Sequence, residues 1–337
     1  MRPALVMSTI LSVLVPGSGS AGAQEAAGLG SAGVQEVGCS WPGKFEADST
    51  NFAFPDDNAN YWITRFAVTP ETEITIDGRY PHARYFSLHV YDATQAPVDG
   101  LADLDLAPDV EGENPFAVEG APHGTYSARI VYGDPPQVRS PNTIYAGRGD
   151  GTPNPSEMLI YRVYVGDDPG SIEGSVPLPR LTLRTRDGSF ALPLSECEPL
   201  PPSTQDVVSE AIRDANMPDE IPRGLPYPPE QSPPRFVKFW GTAHEFARRT
   251  PQGAQYAPKN GGFLSNLHIN YLYSLFSRKD GDMFVIRAKA PTAPDTRSGQ
   301  EVTGGFEMRY FSICQNELAT QRFVGCLYDA EVALDED

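Results

Sequence analysis

The sequence has little basic charge, and beyond its first residues it has no long apolar run. It contains 26 Lys and Arg against 44 Asp and Glu, which gives a formal net charge of −18 at pH 7. An electrostatic field this negative repels phosphate backbones, and nucleic acid is therefore not an expected partner. No later segment offers the roughly 20 consecutive apolar residues of a membrane-spanning helix, so no membrane span is expected.

The common catalytic motifs are missing too. There is no Gly-x-Ser-x-Gly, no glycine-rich phosphate loop ahead of a helix and no His-Glu-x-x-His. Motifs therefore assign no reaction, and the sequence leaves open whether the chain is an enzyme.

The first 23 residues have the layout of a secretory signal peptide. One basic residue, Arg2, precedes an apolar run from Ala4 to Val15, and small residues follow as far as Ala23. The run is too short to span a bilayer as a helix. We expect residues 1–23 to be removed on export, residues 24–38 to form a loose leader, and the protein to be secreted or to lie in the periplasm or cell envelope.

Cysteine is scarce, but the four cysteines are an even number in a chain that begins like an exported one. This predicts two disulfides, and the absence of any Cys-x-x-Cys pair argues against a zinc site. Cys314 and Cys326 fall in one expected hairpin, while Cys39 and Cys197 bracket the first half. Of the three pairings that four cysteines allow, we favour this one.

A short motif occurs twice and suggests the domain organisation. Arg84-Tyr85-Phe86-Ser87 is repeated as Arg309-Tyr310-Phe311-Ser312, and each copy is preceded by an Asn-Tyr strand, at Asn60 and at Asn270. We expect two related β units, residues 39–197 and 236–337. Between them, residues 198–235 are proline-rich, which predicts an extended connector with one short helix.

Short runs of β-branched and aromatic residues between turn formers predict an all-β chain of two units, each a sandwich or a barrel. In the first unit the expected strands are Tyr61–Val68, Glu73–Asp77, Tyr85–Tyr91, Thr125–Tyr132, Thr143–Ala146, Leu159–Val165 and Pro179–Arg184. In the second they are Phe236–Trp240, Gly262–Phe276, Met283–Lys289, Gly304–Cys314 and Phe323–Val332.

The strand at the first motif has two different faces, because side chains alternate along a strand. One face is apolar, and the other carries Tyr85, Ser87, His89 and Tyr91. The second face is either a ligand groove or a second core face whose hydroxyls are satisfied. For a groove, the expected ligand-contacting residues are Tyr61, Arg65, Tyr85, His89 and Tyr91.

Two functions are consistent with such a groove. The first is the binding of a small molecule or glycan by stacking and hydrogen bonding. The alternative is a hydrolase, lyase or isomerase that uses His89 with Tyr85 or Tyr91 as acid and base. An acidic segment offers candidate calcium ligands in Asp103, Asp105 and Asp109, although a solvated acidic loop has the same composition.

The order of motifs from Ile74 to Leu183 resembles a known family. After the first Arg-Tyr-Phe-Ser strand, which continues to Asp92, come an Asn-Pro-Phe at 114–116, an Asn-Thr-Ile-Tyr at 142–145 and a Tyr-Arg-Val-Tyr at 161–164. This series is similar to the uncharacterised bacterial domain of unknown function twelve-fourteen, although Phe86 and Tyr145 stand where that family has Trp. A group of exported hypothetical proteins with a C-terminal Arg-Tyr-Trp-Ser-x-Cys is still more similar. The resemblance implies a jelly-roll-like sandwich and an exported setting, and it implies no reaction.

Overall fold

The computed structural model describes residues 40–45, 47, 51, 53–92, 96–147, 154–191, 234–239, 264–276, 281–317 and 321–335. The expected signal peptide, the leader, Cys39, Cys197 and the connector with its helix lie outside these residues, apart from residues 234 and 235. The described chain consists of strands, turns and loops with one short 3-10 helix, Thr296–Ser298. This confirms the predicted all-β class.

Ten strands of the first half, by which we mean the described residues from 40 to 191, form two five-stranded sheets. In chain order they are β1 (Gly43–Phe45), β2 (Ala59–Val68), β3 (Glu73–Arg79), β4 (Ala83–Tyr91), β5 (Pro97–Ala102), β6 (Thr125–Val131), β7 (Thr143–Tyr145), β8 (Asn154–Gly166), β9 (Arg180–Thr185) and β10 (Gly188–Ala191). The first sheet has the order β1-β2-β8-β4-β5, and the second has the order β10-β9-β3-β6-β7.

The two sheets pack face to face around one aromatic core. Phe86 of β4, in the first sheet, stacks on Tyr126 of β6, in the second, with ring centroids 5.6 Å apart. Tyr161 of β8 lies 6.0 Å from Phe86, and all three side chains are at most 1% exposed. Each such buried side chain contributes about 1.5–3 kcal/mol of hydrophobic stabilisation, so these inward positions hold the sheets together.

All seven strands predicted for the first half are present, but the short edge strands β1 and β10 were missed, and so was β5. Its sequence, which begins with Pro97 and contains Asp99 and Gly100, has the composition of a turn. Tertiary contacts override that preference. The Asp99 carboxylate accepts hydrogen bonds from the Arg139 guanidinium at 2.5 Å and from the Tyr145 N–H at 2.7 Å.

In the second half, whose described residues fall within 234–335, these residues form four short strands in two small sheets. They are β11 (Val237–Lys238), β12 (Leu272–Tyr273), β13 (Ser312–Glu317) and β14 (Arg322–Tyr328), paired as β11–β12 and β13–β14. A disulfide joins Cys314 and Cys326 across the β13–β14 hairpin. The predicted local pairing of these cysteines is confirmed.

The described residues of the second half do not build a second sandwich. Residues 283–289, predicted as a strand, form none, and Met283 and Val285 are 82% and 74% exposed. In the first half the matching strand, β3, lies between β6 and β9. No described strand flanks residues 283–289 in this way, and a strand-like sequence without neighbours has no ladder to join.

The repeated Arg-Tyr-Phe-Ser motif forms the same local structure twice. The Phe86 N–H donates to the Asp103 carboxylate at 3.4 Å, and the Asp103 N–H donates back to the Phe86 carbonyl at 3.1 Å. In the second copy the Phe311 N–H donates to the Asp329 carboxylate at 3.2 Å, and the Asp329 N–H donates to the Phe311 carbonyl at 3.0 Å. The sequence repeat is therefore also a repeat of hydrogen bonds.

Each copy of the motif pairs its arginine with the aspartate of the other copy. The Arg84 guanidinium, fully buried, donates to the Asp329 carboxylate. Reciprocally, the Arg309 guanidinium lies 2.5 Å from the Asp103 carboxylate. We call these two ion pairs the reciprocal clamps. Each half supplies one arginine and one aspartate to the contact, just as each subunit of a two-fold symmetric dimer supplies the same residues to the interface.

The segments that lead into β2 and into β12 also match. The Asp56 N–H donates to the hydroxyl of Tyr61, five residues on, at 3.3 Å, and the Asn266 N–H donates to the hydroxyl of Tyr271, also five residues on, at 3.2 Å. Each segment also has a bulky residue in the left-handed backbone region, Phe54 (φ 55°) and Leu264 (φ 50°). The repeat therefore extends beyond the motif that revealed it.

Candidate functional site

The outer face of the first sheet, opposite the core, carries the polar and aromatic residues. Arg162 of β8 stands at its centre, because it pairs in register with Tyr61 of β2 on one side and with Ser87 of β4 on the other. The remaining polar side chains that β4 places on this face are Tyr85, His89 and Tyr91.

A strap, which we define as residues 264–271, lies across this face. The Tyr91 hydroxyl donates to the carbonyl of Ser265 at 2.9 Å. The Arg162 guanidinium donates through Nη2 to the carbonyl of Leu264 at 2.8 Å. The second half of the chain therefore covers part of the face on which the ligand-contacting residues were expected.

Asn266 anchors the middle of the strap. Its side-chain amide donates to the Tyr85 hydroxyl at 2.9 Å and to Ser87 Oγ at 3.4 Å. At Tyr85, Ser87 and Tyr91 the structure therefore has the second of the two arrangements that alternation allowed, a covered face with its hydroxyls satisfied.

His89 begins a chain of polar contacts that ends at the surface. The imidazole is fully buried, and its Nε2 accepts the Leu267 N–H at 3.3 Å and lies 3.1 Å from Nδ1 of His268. The Nε2 atom of His268 is 3.1 Å from the carboxylate of Asp105, whose side chain is 47% exposed. Two histidines and one carboxylate therefore tie the strap to β4 and to the turn after β5.

The pKa of His89 is lowered well below its usual value, first by burial and then by the charges of Arg162 and His268. The imidazole is therefore neutral at pH 7, as an acceptor for the Leu267 N–H must be. The hydrogen bond from His268 lowers the pKa of Asp105, which keeps that carboxylate ionised. The Nδ1 atom of His89 is buried and has no hydrogen-bond partner in the part of the chain that the structure describes.

Gly100 of β5 leaves the space that the His89 ring fills. A Cβ at position 100 would lie 2.4 Å from Cδ2 of that ring. We expect Gly100→Ala to lower the free energy of unfolding by about 1–3 kcal/mol, because the ring is held between the sheet and the strap and has nowhere to move. Urea denaturation measures this change. In a His89→Ala background the same substitution should cost less, and equal costs in both backgrounds would contradict the steric explanation.

A cleft of about 2540 Å³ lies between the outer face of the first sheet and the second half. Tyrosines line both sides of it. The ring centroid of Tyr164 lies 6.1 Å from that of Tyr61, 5.4 Å from that of Tyr85 and 5.5 Å from that of Tyr310, which belongs to the second half. The cleft exceeds the 300–1,000 Å³ that is typical of small-molecule pockets.

The tyrosine hydroxyls around the face are poor acids. Burial raises the pKa of Tyr91 to about 12. It also raises, above the usual value, the pKa of the other tyrosines of the cluster, Tyr61, Tyr85, Tyr164, Tyr271 and Tyr310. At neutral pH these hydroxyls keep their protons, so they serve as hydrogen-bond donors and acceptors rather than as bases.

The expected ligand-contacting residues are divided by the strap. Tyr61 is half-buried and lines the cleft, together with Tyr85. His89 and Tyr91 lie fully buried, and Arg65 is exposed outside the cleft lining.

Sequence reasoning missed other residues of the face, Arg162, Asn266, His268 and Tyr271. The sequence does contain a signal for Arg162, because it is the one charged residue in the otherwise apolar strand 158–165. The strap was predicted wrongly: its residues lie within the expected strand Gly262–Phe276, whereas among the described residues of that range only Leu272–Tyr273 form a strand.

The three acidic candidates for a metal site have separate partners. Asp103 pairs with Arg309, Asp105 accepts from His268 and from the Ala102 N–H, and Asp109 is exposed. Within the described parts of the chain, the cluster with ligand-like spacing is Asp56, Cys314 and Cys326. Its two sulfur atoms are joined in the disulfide. The structure thus brings the acidic trio into no common site.

Comparison with known proteins gives little. No family model matches the sequence, and no curated protein matches it. Among solved structures, an uncharacterized protein from Burkholderia cenocepacia matches with a TM-score of 0.29 and 16% identity, over 51% of this chain and 40% of that one. No helix among the described residues is long and apolar enough to cross a membrane.

Proposed function

We propose that this protein is a binding module that holds a small molecule or glycan in the cleft between the first sheet and the second half. The observation that carries the proposal is the tyrosine lining of the cleft, to which the first sheet contributes Tyr61, Tyr85 and Tyr164 and the second half contributes Tyr271 and Tyr310. Tyrosine rings stack on sugars and organic rings, and their protonated hydroxyls fix orientation.

The burial of His89 favours binding over acid–base catalysis. His89 and Tyr91 are both fully buried, and neither lines the cleft. A catalytic acid or base has to come within hydrogen-bond reach of its substrate. We therefore propose no reaction at these residues.

Thermal unfolding of the purified protein against a panel of mono- and oligosaccharides and small organic molecules tests the binding function. A ligand at 100 times its dissociation constant should stabilise the fold by about 2.7 kcal/mol. Tyr61→Ala, which removes a half-buried ring from the cleft wall, should abolish most of that shift.

Arg65→Ala is the matched control, because Arg65 lies on the same strand but is exposed outside the cleft lining. Its ligand-induced shift should equal that of the wild type. A shift that survives Tyr61→Ala, or no shift with any member of the panel, would be evidence against the cleft as a binding site.

The setting and the family are part of the same proposal. We propose an exported protein, secreted or held in the periplasm or cell envelope. The Cys314–Cys326 disulfide supports this, because disulfides persist in oxidising compartments. We also propose that residues 74–183 are related to the domain of unknown function twelve-fourteen, on the order of motifs alone.

A further inference from the structure

Arg162 is a buried charge in the middle of the outer face. It belongs to β8, the central strand of the first sheet, and is 2% exposed. A guanidinium keeps its charge at every pH that a protein experiences. Buried cations of this kind are normally paired with an opposite charge.

Arg162 has no such partner in the described chain. No carboxylate of the described residues lies within 4.0 Å of its guanidinium, whereas Arg84 and Arg309 each have an aspartate. Its Nη2 donates to the Leu264 carbonyl at 2.8 Å, but Nη1 is buried and has no hydrogen-bond partner among the described residues. One end of this guanidinium therefore has an unused donor.

Two tyrosine rings partly compensate the charge. The guanidinium carbon lies 5.7 Å from the centroid of Tyr61 and 5.3 Å from that of Tyr91. Cation–π contacts of this type are worth about 0.5–2 kcal/mol each. They are weaker than the charge-assisted, bidentate hydrogen bonds that a carboxylate makes to arginine. An anion that accepted a hydrogen bond from Nη1 would therefore bind with a net gain in free energy.

The surroundings favour a single negative charge over a double one. Burial keeps His89 neutral, so it adds no second cation. On the far side of Tyr61 the Asp56 carboxylate accepts hydrogen bonds from Tyr310 and Ser312, and its negative charge opposes a dianion such as phosphate. Arg162 itself lines the cleft, so a ligand in the cleft has access to it.

We infer that the ligand of this cleft is an organic carboxylate, a monoanion, and that Arg162 is the residue that binds its charged group. This inference rests on the proposed binding function and adds the chemical class of the ligand. The body of the ligand would lie among the tyrosine rings, and its carboxylate would accept a hydrogen bond from Nη1. Sugar acids and aromatic acids both have this combination of ring and charge.

Matched pairs of probes test the inference on the wild-type protein. Glucuronate is compared with glucose, and benzoate with benzamide, by isothermal titration at constant ionic strength. We expect each acid to bind about 10- to 100-fold more tightly than its neutral partner, the effect of one charge-assisted hydrogen-bonded contact. Arg162→Lys, which keeps the charge but loses the planar fork, should weaken binding of the acids and leave that of the neutral probes unchanged.

The outcomes distinguish failure of the carboxylate inference from failure of the binding function. If the neutral probes bind as tightly as the acids, the carboxylate inference fails and the binding function stands. If neither member of any pair binds, both fail. The wild-type comparison does not depend on whether Arg162→Lys folds. Arg129→Lys, an exposed arginine on β6 outside the cleft, is the control variant and should bind every probe like the wild type.

Discussion

Asp329→Ala is expected to lower the free energy of unfolding by about 3–5 kcal/mol. The substitution leaves the Arg84 guanidinium, whose side chain is 0% exposed, without its ion-pair partner. Removing one member of a buried pair is costly because the other charge stays desolvated and uncompensated. The remaining acid, Asp295, lies 3.9 Å away and is 43% exposed, so it replaces little of the lost interaction. Urea denaturation followed by tryptophan fluorescence measures the change.

Two further variants separate this effect from general damage. Asp335→Ala breaks the pair with Arg287, in which both side chains are about three-quarters exposed, and such a pair should contribute no more than about 1 kcal/mol. Arg84→Met combined with Asp329→Ala should recover part of the stability, because no unpaired charge is then buried. A loss below about 1 kcal/mol for Asp329→Ala alone would show that the clamp does not hold the halves together.

Arg309→Met is expected to cost about 3 kcal/mol at pH 7, and the cost should shrink on acidification. Burial raises the pKa of Asp103, and Arg309 opposes that rise. Without Arg309 the pKa of this carboxyl group rises further. The folded variant then binds a proton more readily than its unfolded chain, so the penalty is present above the folded pKa and is lost as pH falls through it. Denaturation curves of wild type and variant at pH 7 and pH 5 measure the difference.

The matching control is Arg129→Met. Arg129 is 46% exposed and lies 4.0 Å from Glu73, so its loss should cost little at either pH. If the difference between wild type and Arg309→Met is the same at both pH values, Asp103 is not the group that carries the penalty.

Much of the first half could be predicted from sequence because its strands obey local rules. The alternation of Phe86 and Leu88 with Ser87 and His89 placed the right residues on the core and outer faces of β4. Strand β5 could not be predicted, because its pairing depends on Asp99 binding to residues that are distant in the chain. In the second half, strand-like runs such as residues 283–289 lack described neighbours, and no local pattern reveals that.

The outer face shows the same division. Periodicity predicted which side chains lie on this face. It could not predict that the strap covers them, because the contact between Asn266 and Tyr85 joins residues that are 181 positions apart in the sequence. Nor did the repeat predict the reciprocal clamps. Two copies of Arg-Tyr-Phe-Ser indicate similar hairpins, and nothing in the motif states that each arginine would pair with the aspartate of the other hairpin.

The reciprocal clamps also set an order of events during synthesis. Arg84 is made 245 residues before its partner Asp329. At about 5–20 residues per second the wait lasts roughly 12–50 s. Once β10 has been made, the first sandwich has its strands but not yet its cover, and its tyrosine-rich outer face and the charges of Arg84 and Asp103 are open to chaperones, proteases and other nascent chains. The newly made protein is therefore most exposed to these partners between the synthesis of β10 and that of the strap.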